Sequence, residues 1–204
     1  SPASTTSTKA GHLTKSLFSG SQTENATSLG PNGEGDVFAA VDDFSASEAH
    51  NTVLLDNVEE VLLGRRTYEI FVAFWPSARD QPMARQVNIL AKTVCSTTLD
   101  QAPWGEHAPA RVVPDAVAHV RQHRAAQAGD IIVWGSVTVA RSLFAADEVD
   151  ELELFVAPVL LGKGTPLLAP DDRPVSLRLR EDERWPADVI RTRYAVNRQG
   201  GQAG

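Results

Sequence analysis

Two stretches of this sequence carry residues whose types and order suit the binding of an anion. In the first, Val58 to Gly64 (VEEVLLG) runs into Arg65-Arg66-Thr67 at the start of a helical pattern. A strand that turns through glycine into a helix leaves backbone N–H groups free at the helix start. Those donors and the helix dipole attract negative charge, and Arg65 or Arg66 adds charge-assisted hydrogen bonds to phosphate. In the second, Trp134-Gly135-Ser136-Val137 repeats the arrangement: an apolar run, a glycine, then a helix whose first residue can cap it. Gly135 lets a diphosphate or another backbone approach closely, and Ser136 offers both a hydroxyl and an N–H. Each stretch alone also describes an ordinary strand-to-helix turn, and the chain has no full GxGxxG. Two such turns in one small chain say more, because a dinucleotide needs several phosphate anchors.

Other reactive side chains read more plainly. His119 and His123 stand four apart on one face of a helical pattern, as a metal-ligand pair would. The spacing places no third ligand near them, so an exposed helix rich in alanine and arginine is the simpler account, and no metal is expected. Cys95 sits inside a strand pattern and reads as a small buried residue. Trp75, just before Pro76, suits a pocket rim where it can stack on a planar substrate. The acidic run from Asp147 to Glu153 reads as a solvated loop and strand edge.

The elements that must hold these residues alternate along the chain. His12 to Ser19 reads as an edge strand, and the segment Ser28 to Asp36, rich in Gly, Pro and Asn, as a long loop. Asp42-Asp43 caps a helix through Asn57 with Val53, Leu54 and Asn57 on one face. Val58–Gly64 is a short buried strand, and Arg65–Phe74 a helix stopped at Trp75-Pro76. Asn88–Thr97 is a second strand. Pro114 starts a helix that runs to about Gln127, with Gly129 at its end. Ile131–Gly135 is the continuous apolar run of a strand buried on both faces, followed by a helix over Ser136–Ala145. Glu151–Gly162 alternates apolar and acidic residues, and Val175–Arg180 with Val189–Val196 suits a C-terminal antiparallel pair. Strands separated by helices predict an α/β fold with a mostly parallel central sheet.

Composition bounds the function. A chain of 204 residues with a formal charge of −7 favours one domain and argues against nucleic acid as a partner. One cysteine excludes an internal disulfide framework. No apolar run approaches the roughly 20 residues that cross a bilayer, and SPASTTSTKAG has no apolar signal-like core. Cytoplasmic location is therefore expected. Residues 1–11 read as a disordered leader, 12–196 as a single domain, and 197–204 as a flexible tail.

LLGRRTYEIFVAFWP (Leu62 to Pro76) resembles the RibD C-terminal-domain reductases, which have the dihydrofolate-reductase-like fold. The resemblance continues through KTVCSTTLDQAPW (Lys92 to Trp104), DIIVWGSVTVARSL (Asp130 to Leu143) and VDELELFVAPVLLGKGTPLL (Val149 to Leu168). It implies an NADPH-dependent reductase of a small molecule, usually a homodimer, that passes hydride to a C=N or C=C bond. By the same resemblance, Gly64, Arg65, Arg66 and Thr67 would bind cofactor phosphates. Ser96 and Thr97 would lie near the adenosine ribose, and Gly135, Ser136 and Val137 would hold the diphosphate. Leu161, Gly162 and Gly164 would line the nicotinamide or substrate side of the cleft.

The chain departs from the family pattern in two places. Many relatives carry Ser-Arg-Thr where this chain has Ser96-Thr97-Thr98, and Thr97 cannot replace a guanidinium at a 2′-phosphate. Arg65 or Arg66 can compensate; otherwise the chain prefers NADH or binds neither dinucleotide. The family's Ser-Leu-Asp-Gly-like turn aligns best with Gln22-Thr23-Glu24-Asn25, which puts Glu24 at the acid position as a proton donor or substrate anchor. A register through Ser28-Leu29-Gly30 has no acid. The alternative function is a cofactor-independent descendant of the fold that binds, cyclises or isomerises a small hydrophobic molecule.

Overall fold

The computed structural model describes residues 13–20, 27–29, 41–43, 45–160 and 164–197. Glu24, Leu161 and Gly162 lie outside them, as do the expected leader over 1–11 and all of the expected tail beyond Asn197.

The strands are β1 (Leu13–Gly20), β2 (Thr27–Leu29), β3 (Glu60–Gly64), β4 (Ala91–Cys95), β5 (Ala102–Trp104), β6 (His107–Val113), β7 (Ile131–Trp134), β8 (Glu151–Ala157), β9 (Thr165–Pro166), β10 (Leu177–Arg184) and β11 (Ile190–Val196). Between them lie α1 (Ser45–Asp56), α2 (Arg65–Phe74), α3 (Ala84–Ile89), α4 (Ala116–Ala125) and α5 (Val137–Ala145). Among the described residues the main sheet runs β10-β11-β8-β1-β7-β3-β4-β6-β5, with β2 and β9 joined beside β1. From β8 to β6 every neighbouring pair is parallel. The C-terminal β10–β11 hairpin adds antiparallel to β8, and β5 closes the opposite edge antiparallel to β6. This is the α/β, dihydrofolate-reductase-like architecture expected from the sequence. No helix among the described residues is long and apolar enough to cross a membrane.

Alternation along β3 divides the core into two layers. Leu62 faces α4 and α5 with Val120, Val139, Ala140 and Leu143, whereas Val61 and Leu63 face α2 and α3 with Tyr68, Val87 and Trp104. Trp104 is fully buried and anchors that second layer. Its indole Nε1 donates to Asn88 Oδ1 at 2.7 Å, and Asn88 Nδ2 donates to the Trp75 carbonyl at 3.0 Å. Lys92 is buried beneath it, with Nζ donating to the Val87, Asn88 and Leu90 carbonyls at the end of α3. Burial pushes the Lys92 ammonium down to about 8.

Three expectations need correction. β1 is not an edge strand, because it pairs in parallel with β7 on one side and β8 on the other. The buried face of α1 is Ser47, Asn51 and Leu55, while Val53 is 64% exposed. The segment before β4 is helical as α3, so that strand begins at Ala91 and not at Asn88.

Candidate functional site

A parallel strand followed by a helix delivers each helix start to the carboxyl edge of the sheet. Three helices begin together there: α2 after β3, α4 after β6, and α5 after β7. They enclose a cleft of about 620 Å³. Gly64, Arg65 and Arg66 form one wall, Cys95 to Thr98 another, and Ser136, Thr138, Val139 and Ser142 a third, with Pro114, Asp115 and Ala116 completing it.

The three helix starts differ in what satisfies them. Asp115 caps α4, its Oδ1 accepting from Val117 N at 2.8 Å and Ala118 N at 3.1 Å. Gly64 and Ser136, the cap positions of α2 and α5, make no side-chain cap hydrogen bond, and neither helix has an acid in its first turn. Two helix dipoles therefore present their positive ends to the cleft without a carboxylate of their own to quench them. The Arg65 guanidinium donates from Nε to Glu69 at 2.7 Å and from Nη1 to Thr98 Oγ1 at 2.8 Å. It thereby bridges the start of α2 to the loop after β4. Ser96 shapes that loop: its N–H donates to the Val113 carbonyl, and its Oγ accepts from the N–H groups of Thr98 and Leu99. Arg66 and Thr97 are exposed at the cleft.

Gly64 is required by close approach. A Cβ built on it would overlap Ser136 Oγ and stand 3.2 Å from Ser136 Cβ. Gly135 is required for a different reason, since its φ is +74°. Gly135→Ala forces an L side chain into the left-handed region, so urea unfolding is expected to show a loss of about 1–2 kcal/mol; an unchanged midpoint would refute the turn's demand for glycine.

The cleft gathers Gly64, Arg65, Arg66, Ser96, Thr97 and Ser136 from the expected cofactor set. Thr67, Gly135 and Val137 stand one residue behind its wall, with Gly135 and Val137 buried. The sequence did not single out Asp115, Thr138 or Ser142 for this site. Asp115 follows Pro114 at a legible helix start, and Thr138 and Ser142 lie four apart on α5, so their shared face was readable.

Of the expected substrate residues, Trp75 and Gly164 are described, and neither lines this cleft. Trp75 follows the last residue of α2, about 15 Å along the helix from its start at the cleft. It packs edge-on to Phe71 and Phe74. Gly164 is exposed just before β9.

Burial, reinforced by the charges of Glu60 and Asp115, pushes the Cys95 thiol up to about 12. Cys95 stays protonated and inert, as its strand position suggested. Glu60, the first residue of β3, receives His119 Nε2 at 2.7 Å and has His123 Nδ1 at 3.7 Å. Burial opposes the Glu60 charge, but hydrogen bonds from His119 and Thr93 and the nearby imidazoles hold its carboxyl below the usual range. The expectation of an exposed histidine pair is thus corrected: His119 is 6% exposed, and α4 turns both rings inward because β3 offers them a carboxylate.

Comparison with known proteins places this geometry. The model of the RibD C-terminal domain matches residues 22–190. An uncharacterised Bacillus subtilis (strain 168) protein, YyaP, is 21% identical over 150 residues, covering 72% of this chain and 78% of that one. A Shewanella sp. PV-4 protein named for riboflavin biosynthesis superposes with a TM-score of 0.72 at 19% identity, covering 92% of this chain and 99% of the other. The Thermotoga maritima diaminohydroxyphosphoribosylaminopyrimidine deaminase/5-amino-6-(5-phosphoribosylamino)uracil reductase gives 0.62 at 12% identity, with 91% of this chain matching 56% of that longer one. By the extent of the domain match and by its fold, the chain belongs to the RibD C-terminal domain family.

Proposed function

We propose that this chain is a reductase that uses NADPH to reduce a C=N or C=C bond of a small cyclic metabolite. The observation that carries this reading is the convergence of two helix starts without side-chain caps and two arginines on one wide cleft at the carboxyl edge of the sheet. Family membership and the likeness to a protein named as a uracil reductase support it.

The residues fit a dinucleotide. Gly64 lets the starts of α2 and α5 approach each other closely at Ser136, Arg65 and Arg66 supply positive charge, and the Asp115 carboxylate is turned back into its own helix. When bound, NADPH supplies the hydride. The chain binds its phosphates with the first N–H groups of α2 and α5, and orients the rest by the walls at Ser96–Thr98 and Thr138–Ser142. Arg65, tethered to Thr98, stands beside Thr97 and so brings a guanidinium to the loop where relatives carry one. With Cys95 held as a neutral thiol, the described walls offer alignment of donor and acceptor. Glu24 as proton donor, the substrate side formed by Trp75, Leu161, Gly162 and Gly164, a homodimer and a cytoplasmic location all belong to this proposal.

Titration of the purified protein with NADPH and with NADH, followed by nicotinamide fluorescence, tests the reading. NADPH is expected to bind the more tightly, and Arg65→Ala to weaken it about tenfold while changing NADH less. Failure of both dinucleotides to bind would overturn the reductase reading in favour of a cofactor-independent descendant of the fold.

A further inference from the structure

Beneath the cleft, on the α4 side of the sheet, Glu60, His119 and His123 bring three ligand atoms within 4.8 Å of one another. Glu60 and His119 are buried, and the His123 side chain is 9% exposed. The histidines lie one turn apart on α4, and the carboxylate reaches them from β3, an element distant in sequence.

A simple ion pair accounts for only part of this arrangement. His119 Nε2 and Glu60 Oε1, at 2.7 Å, satisfy each other. His123 is different. Its Nε2 stands 2.8 Å from the Gly129 carbonyl, which can only accept, so Nε2 carries the hydrogen. Its Nδ1 then faces Glu60 Oε2 at 3.7 Å. A positive charge must stand between ring and carboxylate there, either a proton on Nδ1 or a metal ion that both groups ligate. The carbonyl that fixes the His123 tautomer is also the outer partner that metal-ligating histidines commonly use.

We infer that Glu60, His119 and His123 form a binding site for a divalent cation of the zinc class. Two imidazole nitrogens and one carboxylate oxygen suit a borderline metal such as zinc, whereas calcium and magnesium favour oxygen ligands. Bonds of about 2.0–2.1 Å to a tetrahedral ion set neighbouring ligands about 3.3 Å apart. His119 Nε2 stands 2.7 Å from Glu60 Oε1 and His123 Nδ1 3.7 Å from Glu60 Oε2, and one ligand atom from each residue lies within 4.8 Å of the others, so side-chain rotations would bring the three to that spacing. Three protein ligands leave the fourth position to water. The metal would clamp α4 to β3, and so fix the cleft wall at Pro114, Asp115 and Ala116. The inference stands apart from the dinucleotide reading, since it uses no cleft residue.

The test titrates the chelator-stripped protein with cobalt(II) and with zinc, by visible absorption and calorimetry. One equivalent is expected to bind, with a cobalt d–d band, and magnesium is expected to produce no heat. Glu60→Gln and His123→Gln should each weaken zinc binding about tenfold or more, while His107→Gln, at an exposed position on β6, should leave it unchanged. If either cluster variant fails to fold, imidazole nitrogen resonances of the unaltered protein decide. Zinc should shift those of His119 and His123 among the five histidines. No uptake by the stripped protein, shifts at other histidines only, or uptake that survives His123→Gln would overturn the inference.

Discussion

Glu153→Gln is expected to remove about 3 kcal/mol of stability at neutral pH. Glu153 lies on β8 and is 1% exposed, with Oε1 accepting from Arg191 Nε on β11 at 2.6 Å and within 3.0 Å of His50 Nε2 on α1. Three elements thus meet at one buried carboxylate. A glutamine fills the space but leaves Arg191 without its inner counter-ion. The loss sits at the low end for a broken buried pair because Glu181, at 3.0 Å, and Glu183 still neutralise Arg191 from the outside. Burial pushes the Glu153 carboxyl upward, yet His50 close beside it and the charge and hydrogen bond of Arg191 outweigh it, and the net displacement is downward. A carboxyl held below its unfolded value of about 4.5 contributes stability above that pH and loses it as pH falls toward the lower folded value. Urea unfolding should therefore show the wild type and the variant converging in acid, with the gap widest near neutrality. A gap that persists unchanged in acid would show that the charge is not its source.

Gly64→Ala is expected to cost about 1–3 kcal/mol, as overpacking of a filled site does. The added methyl would occupy the place of Ser136 Oγ and press on Ser136 Cβ at 3.2 Å. The hydroxyl can rotate away; the Cβ cannot, because it belongs to the cap position of α5. Ser136→Ala should consequently relieve part of the cost, and a double-mutant cycle should return a coupling of about 0.5 kcal/mol or more. The same methyl would narrow the wall between two anion-binding helix starts, so the single variant should also lose NADPH affinity about tenfold at a temperature where it remains folded. Additive stabilities in the cycle would mean that the two turns do not touch in the way described.

How far the fold was readable depended on where each element's partners lay. β3, α2, β7 and α5 were legible almost to the residue, since a continuous apolar run, a glycine and a 3.6-residue pattern are all local signals. β1 was misplaced because LTKSLFSG is too polar to resemble a strand enclosed on both sides. The β5–β6 hairpin was missed because its strands are short at one end; the glycine at φ +57° between Trp104 and His107 was its available sign. At the site, the two glycine turns were legible for the same local reason. Glu60 was not: it joins His119 across 59 residues of sequence, and only the pairing of β3 beside α4 makes them neighbours. Arg65 was named for phosphate, but its bond to Thr98 depends on the β3–β4 pairing that brings their loops together.

The central place of β1 bears on the order of assembly. Leu13 pairs with Ile131, and Thr14 with Glu151, so both neighbours of this strand are synthesised long after it. Until β7 and β8 exist, β1 has only its short antiparallel pairing with β2 at Gly20 and Thr27, and the two halves of the sheet have no bridge. Contacts so remote in sequence demand large loop closures before any reward, which slows the folding of parallel sheets. Completion of the sheet is therefore a late, cooperative event, and a nascent chain lacking β8 should remain sensitive to protease along β1.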